Sequence, residues 1–334
     1  MSDPAAVAEA AGIHRMPIPT PFAVGRVNCY LIEDDPLTLL DTGPNSGRAL
    51  DELEQALAGL GHRIEDLGRI VVSHQHIDHV GLVSILARRS GAEVCALDLL
   101  VPVLEDYSAH AEFDDELAEA LMLRHGIPPD VVTALRAVSR AFRGWGAGAR
   151  VDRPLTAGGT LEFRDRRLEV LHRPGHSPSD TVLWDADRRI LLAGDHLIGH
   201  ISSNPLLSRP LDGTVLGPEE RPHALLAYMA SLRATRELPA ALVLPGHGEP
   251  VTGHAALIDE RFSQHERRAR KISRLIAEGP RSAYEIAQSL WGQVAVTQAY
   301  LTLSEVLGHV DLLLERGEIR EVAVDGVVRF EHTA

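Results

Sequence analysis

The sequence is poor in lysine, cysteine and aromatic side chains, and each shortage narrows what the chain can be. Lys271 is the only lysine among 33 basic residues, so arginine carries nearly all the positive charge; this is a compositional bias with no functional weight. Aromatic residues make up 4% of the chain, so a core drawn from its 45% of hydrophobic residues must rest on Leu, Val, Ile and Ala. The two cysteines, Cys29 and Cys95, stand far apart in apolar stretches that read as strands. That excludes a disulfide scaffold and predicts buried free thiols in a reducing compartment. No apolar run is long enough to span a membrane, and the Ala-rich, acidic start Met1–Ala11 lacks the basic segment of a secretion signal, so a cytoplasmic location is expected. Acidic residues outnumber basic ones by 47 to 33, and the net charge of −14 repels phosphate backbones and anionic membranes.

What is present is a long alternation of short apolar runs and helical patterns. At 334 residues the length predicts one large domain followed by a small one. Val27–Ile32 and Leu37–Leu40 flank the turn-forming Glu33-Asp34-Asp35-Pro36 and predict an antiparallel hairpin. A loop at Asp41–Asn45 leads into a helix with Leu50, Leu53, Leu57 and Leu60 at helical spacing. A buried strand at Ile70–Ser73, a helix over about Val80–Arg89 and a strand at Glu93–Leu97 follow. Tyr107–Gly148 holds two helical patterns split by Pro128-Pro129 and ends in Gly144, Gly146 and Gly148, a candidate hinge. Strands return at Leu161–Phe163, Leu168–Leu171, Thr181–Trp184, Ile190–Ala193 and Ala241–Leu244, which predicts two mixed sheets packed face to face with helices outside. After Gly253 a long helix carries Ile258, Phe262, His265, Ile272 and Ile276, and Ser282 with Glu285 forms a capping box for the next. A third helix runs to about Arg316, and the Asp325-Gly326 pair predicts a hairpin between Ile319–Val324 and Val327–Phe330. Helices followed by such a hairpin describe a small winged-helix-like module.

The chemistry concentrates in four loops. His74-Gln75-His76-Ile77-Asp78-His79 directly follows a buried strand, and its imidazoles and carboxylate suit zinc or a similar divalent ion. Gly175-His176-Ser177, Gly194-Asp195-His196 and Gly246-His247-Gly248 each place a potential ligand beside glycine just after a strand, where loops gather at one edge of a sandwich. A lone Gly-His is usually only a turn; four such loops in one chain make a site.

With these residues the chain resembles the metallo-β-lactamase superfamily over roughly Ile13 to Val251. The resemblance implies an α+β, four-layer αββα sandwich, spanning residues 13–255, with 107–148 as a helical insertion and candidate lid. Residues 256–334, a linker helix followed by a winged-helix-like domain, are similar to the tail of one branch of that family, whose pattern His265, Arg268 and Tyr284-Glu285-Ile286 match. Carried over residue by residue, the resemblance implies two metal ions, zinc by preference with iron or manganese admitted. His74, His76 and His176 hold the first, Asp78, His79 and His247 the second, and Asp195 bridges them. Asp41 matches an aspartate that orients a ligand histidine, and Asp78 is expected to steer a proton.

The implied activity is hydrolysis of a carboxylic ester or thioester by a metal-activated hydroxide, resembling the glyoxalase II ligand set. Departures from the family narrow it. The B1-type β-lactamases carry a cysteine near the position of Asp195, and lactone-cleaving members carry tyrosine where this chain has Ile198. Arg267, Arg268 and Lys271 are candidates for a basic patch of the kind that binds glutathione in relatives. The alternative is a metal-dependent single-strand endoribonuclease, since the tailed branch includes one; a DNA-binding regulator comes third, because the helix with Glu305, Asp311 and Glu315 would repel phosphate. The expected partner is a small-molecule ester or thioester; a homodimer is admitted, nucleic acid is disfavoured and membrane contact is not expected. His172, His196 and His200 are expected near the site as supporting or pocket residues, and Ser177 as a loop hydrogen-bonder.

Overall fold

Six strands build the first sheet of the computed structural model, which describes residues 3–217 and 219–333: β1 (Ile13–Ile18), β2 (Val27–Ile32), β3 (Thr38–Leu40), β4 (Arg69–Val72), β5 (Glu93–Leu97) and β6 (Arg153–Leu155). They lie side by side in chain order, antiparallel from β1 to β3 and parallel from β3 to β6. The second sheet holds β7 (Thr160–Glu162), β8 (Arg167–His172), β9 (Thr181–Asp185), β10 (Ile190–Gly194) and β11 (Leu242–Pro245), with only β10 and β11 parallel.

The period-two geometry of strands divides the apolar residues of the second sheet between two cores. Val170, Leu183, Ile190, Leu192 and Leu244 point at the first sheet and join its core. Their neighbours Leu171, Val182, Leu191, Ala193 and Val243 point outward into a second core. Helices α1 (Pro4–Ala10), α2 (Gly47–Gly59), α3 (Ile77–Val80), α4 (Val83–Ser90) and α5 (Val101–Glu105) contribute buried residues to the first core. In α2 the side chain of Ser46 accepts from Ala49 N at 3.1 Å to start the helix, and Ala49, Leu53 and Leu57 form its buried stripe.

The insertion is a helix pair, α6 (Tyr107–Arg124) and α7 (Pro129–Phe142), and the second sheet is covered by α8 (Ala224–Arg236) and α9 (His254–Ala277). The C-terminal part comprises α10 (Ala283–Trp291), α11 (Val294–Thr297) and α12 (Ala299–Glu315), with β12 (Arg281–Ser282), β13 (Ile319–Val324) and β14 (Val327–His332) in a three-stranded antiparallel sheet. The capping box forms as expected: Ser282 N donates to the Glu285 carboxylate at 2.8 Å and Glu285 N to the Ser282 hydroxyl at 3.2 Å. Asp325 and Gly326, both at positive φ, make the tight turn. These sheets flanked by helices give the mixed α+β architecture expected of the chain.

The linker helix α9 serves both halves: Ile258 lies in the core behind the second sheet, while Ala269, Ile272 and Ile276 lie in a third, C-terminal core. One feature differs from the sequence-based picture: the 107–148 segment packs into that third core through Leu121, Met122, Ile127 and Val132. Gly146 and Gly148 serve close packing, not a hinge, while Gly144 borders open space. A side chain at Gly146 would meet the Tyr107 hydroxyl at 2.0 Å, and one at Gly148 the Leu104 carbonyl at 2.5 Å. The carbonyl of Trp145, just before Gly146, accepts from Asn45 N at 2.7 Å, which ties this end of the insertion to the loop after β3. Both cysteines are buried and free, and among the described residues no helix is long and apolar enough to cross a membrane.

The C-terminal core carries a pH dependence. Burial pushes the His125 ring down to about 3, helped by Arg221 and Arg124. Burial likewise holds His265 and His309, which face each other at 3.2 Å with Glu305 and Arg268 alongside, down to about 4. An unfolded histidine titrates near ~6.5, so below that pH the unfolded chain binds more protons. The stability these neutral rings contribute is complete above ~6.5 and is lost as the pH falls through their depressed values. Thermal melts should therefore show Tm falling below about pH 6.5, and less steeply in His309→Gln; parallel curves for the two proteins would count against this origin.

Candidate metal centre

Five loops at strand ends bring the predicted side chains together: Asp41 follows β3, His74–His79 follow β4, His176 follows β8, Asp195 follows β10 and His247 follows β11. Asp41 is buried at φ 59°, a left-handed conformation that aspartate tolerates better than most residues. In that pose its carboxylate accepts from Ser73 N, Ser73 Oγ and His79 Nδ1, each at 2.8 Å. A plain turn aspartate would face solvent; this one supports two neighbouring ligand candidates from beneath.

The network fixes which ring nitrogens keep a free lone pair. Ser73 Oγ donates to Asp41 and so accepts from His74 Nδ1 at 2.9 Å. His176 Nδ1 donates to the Asn204 carbonyl at 3.1 Å, and His247 Nδ1 to the Arg26 carbonyl at 2.8 Å. Each carbonyl can only accept, so the opposite nitrogen, Nε2, is left as a donor of electrons to a metal. His74 Nε2 and His176 Nε2 converge on His76 Nδ1 at 3.0 and 2.9 Å. With His76 as its Nε2–H tautomer, three lone pairs meet at this spacing and repel one another unless a cation sits among them. Burial, followed by the neighbouring imidazoles of His79 and His76, holds the His74 ring well below the usual histidine range, so the ring stays neutral with Nε2 open to a cation.

The second set differs in charge. Asp78, His79 and His247 bring one ligand atom each within 4.8 Å of one another, as do His74, His79 and Asp195. Asp195 spans the two sets: Oδ1 is 3.5 Å from His79 Nε2, and Oδ2 is 3.5 Å from His176 Nε2 and 3.4 Å from His247 Nε2. Burial opposes ionisation of Asp195, yet His247 and His79 outweigh it and hold the carboxyl well below its usual range. Burial also opposes charge on His247, but Asp195 and Asp78 raise it to about 9. The carboxylates thus draw positive charge onto the rings, a place a divalent cation fills with more charge and better geometry. His79 Nε2 and Asp195 Oδ1 are buried with no hydrogen-bond partner, as expected of atoms reserved for a metal. The residues present fit a metal group.

The family model described as the metallo-beta-lactamase superfamily matches residues 23–247. The chain belongs to the metallo-beta-lactamase superfamily. Within it, the chain is 33% identical to the probable metallo-hydrolase YqjP of Bacillus subtilis over 296 residues, 89% of this chain and 90% of that one. A metallo-beta-lactamase family protein of Thermus thermophilus superposes with a TM-score of 0.78 at 26% identity, covering 96% of this chain and 99% of that one. A shorter stretch of 134 residues, 37% of this chain, is 31% identical to an acyl-coenzyme A thioesterase of Gallus gallus and covers 40% of it. Family membership makes the protein a metallo-hydrolase by class.

Other predicted residues land elsewhere. His196 is buried with Nε2 2.8 Å from Thr235 Oγ1 and its ring against Tyr228, so it supports α8 behind the sheet. His172 Nε2 donates to the Pro178 carbonyl at 2.9 Å and shapes the His176 loop, while His200 is exposed beside Gly248. Ser177 donates its hydroxyl to Asp180 at 2.7 Å, the loop role expected of it. Arg268 lies over Trp291 and pairs with Glu305 at 3.2 Å, so it is engaged in the C-terminal core and offers no anion site. Sequence reasoning missed Ser73, Asn28 and Tyr30. Asn28 and Tyr30 donate side-chain hydrogen bonds to the Pro245 carbonyl at 2.9 and 2.7 Å and so position the His247 loop. The residue just before the histidine cluster was the one available signal for Ser73.

Because one carboxylate orients both His79 and, through Ser73, His74, Asp41→Ala should weaken metal affinity about 10–100-fold. Competition with a chelator measures it. An unchanged affinity would reduce Asp41 to a turn residue.

Proposed function

We propose that the protein is a dinuclear metal-dependent hydrolase of carboxylic esters and thioesters, thioesters foremost. The observation that carries this reading is Asp195, set between an all-imidazole triad and the Asp78–His79–His247 set, with an orphaned oxygen facing an orphaned His79 nitrogen. His74, His76 and His176 would hold one ion, Asp78, His79 and His247 the other, and Asp195 both. Two divalent ions, when bound, supply Lewis acidity and lower the pKa of water toward about 7.

The chain's own residues leave water as the nucleophile. Burial pushes the Cys95 thiol up to about 12 and holds the Cys29 thiol well above the usual range, and the Ser177 hydroxyl is committed to Asp180. Water adds to the acyl carbon, the carbon–sulfur or carbon–oxygen bond breaks, and the products are a carboxylate and a thiol or alcohol. Asp78 Oδ2, 3.4 Å from His247 Nε2, is placed to accept the water's proton and return it to the leaving group. The thioester preference draws support from the name of the Gallus gallus relative.

RNA cleavage is the second reading, and the net charge of −14 weighs against it. A DNA-binding regulator is opposed by α12, which carries Glu305 and Asp311 and is buried along most of its length, with Asp311 paired to Arg221 at 2.6 Å, so it is not available to enter a groove. Metal-loaded protein should turn over acyl thioesters with rates that follow metal content. Cleavage of single-stranded RNA without thioester or ester turnover would replace this reading by the second.

A further inference from the structure

Beside the candidate metal centre lies a largely apolar cavity of about 490 Å³, within the ~300–1,000 Å³ typical of small-ligand sites. Three of its walls are chain neighbours of the residues that build or hold the centre. Ile77 stands between His76 and Asp78. Leu206 and Leu207 follow Asn204, whose carbonyl holds His176, and Leu206 N donates to the His176 carbonyl at 3.4 Å. Phe22 opens the loop that ends at Arg26, whose carbonyl holds His247. The other walls come from the insertion and the C-terminal part: Ala118 and Met122 of α6, Leu135 and Phe142 of α7, and Leu301 of α12.

The charged groups in these walls are already paired. Asp114 accepts from Arg209 at 3.4 Å, Asp115 accepts from Ser139 at 2.7 Å and pairs with Arg143, and Arg136 pairs with Glu112 at 2.7 Å and with Glu119. A charged ligand group would find no free counter-charge there, whereas an alkyl chain needs none. At the rim, Val138 and Leu301 remain 50% and 40% exposed, apolar surface that a chain entering the cavity would cover.

We infer that this cavity holds the acyl chain of the substrate, so that the protein prefers medium-length unbranched acyl groups to acetyl. The inference rests on the hydrolase reading and adds the substrate class. It also gives the helical insertion a fixed role: with the C-terminal helix, it forms the wall that measures chain length.

The test compares acetyl, hexanoyl and decanoyl thioesters of one thiol on the full metal-loaded protein. Full transfer from water is worth about fourfold per methylene, so even a partly open cavity should raise kcat/KM for decanoyl over acetyl at least about 100-fold. Ala118→Phe, which narrows the cavity, should cut that ratio about tenfold or more. Calorimetric titration of decanoate into metal-free protein gives a second readout: binding to the parent chain, none to Ala118→Phe. Should Ala118→Phe not fold, Val138→Glu at the half-exposed rim carries the same expectation for both readouts. Equal kcat/KM across chain lengths overturns the inference and leaves the hydrolase reading standing. Decanoate binding that the variants abolish, without turnover of any ester or thioester, supports the cavity as an acyl-chain site and overturns the hydrolase reading.

Discussion

Asp195→Ala lowers hydrolytic kcat/KM by on the order of 10³-fold or more, the scale reached when one member of a catalytic unit is removed, and leaves at most one tightly held metal per chain. The reason is its reach. No other described carboxylate lies within 3.5 Å of three ring nitrogens drawn from both ligand sets, His79, His176 and His247. Without it two bound cations would lose a shared anion and repel each other across the same small space. The fold should survive, because the ligand loops are held from behind by Asp41, Ser73 and the carbonyls of Asn204 and Arg26. Elemental analysis beside circular dichroism separates the two effects. Two retained metals with near-native turnover would remove Asp195 from the bridging role.

Gly246→Ala should be nearly as damaging, though it adds only a methyl group. The new carbon would lie 2.1 Å from Asp195 Oδ1 and 3.0 Å from His79 Cε1. The peptide has little room to yield, since Gly246 N donates to the Gly194 carbonyl at 2.6 Å and its own carbonyl accepts from Asn28 N at 2.6 Å. Overpacking of this kind costs about 1–3 kcal/mol, and here it falls on the one carboxylate both ligand sets use. Expected are a Tm lower by several degrees, metal content well below the parent chain, and activity reduced in step with metal. A variant with full metal content and unchanged activity would mean that the loop relaxes more freely than its hydrogen bonds suggest.

The ligand loops were legible because metal chemistry demands particular side chains, and a histidine or aspartate beside glycine after an apolar run is visible in one dimension. Asn204 and Arg26 were not legible, because they act through backbone carbonyls that every residue possesses. Among the elements, β2, β3, β8 and β9 announced themselves by apolar runs, whereas β1 is interrupted by His14, Arg15 and Pro17, and β6 is only Arg153–Leu155. Helix α8 escaped notice because it is packed on more than one side: Ser231 and Thr235 are buried along with Leu225, Tyr228, Met229 and Leu232, which blurs any single stripe. The expected helix over Val80–Arg89 breaks into α3 and α4, where Gly81 passes against the backbone of Asn45 and Trp145, a tertiary contact no periodicity could report. The packing of 107–148 against the C-terminal part was hidden for the same reason.

That last arrangement bears on how the chain is made. Leu121, Met122, Ile127 and Val132 are covered by residues of α12 and β14 that lie near the other end of the sequence. During synthesis from the N-terminus, at ~5–20 residues per second, the insertion emerges long before its cover exists. Its apolar face must stay solvated or shielded until the last helix leaves the ribosome, and only then does the wall of the acyl cavity close. Nascent chains stalled before α12 should therefore bind hydrophobic dyes and holdase chaperones through 107–148, and lose that binding once α12 and the β13–β14 hairpin are released.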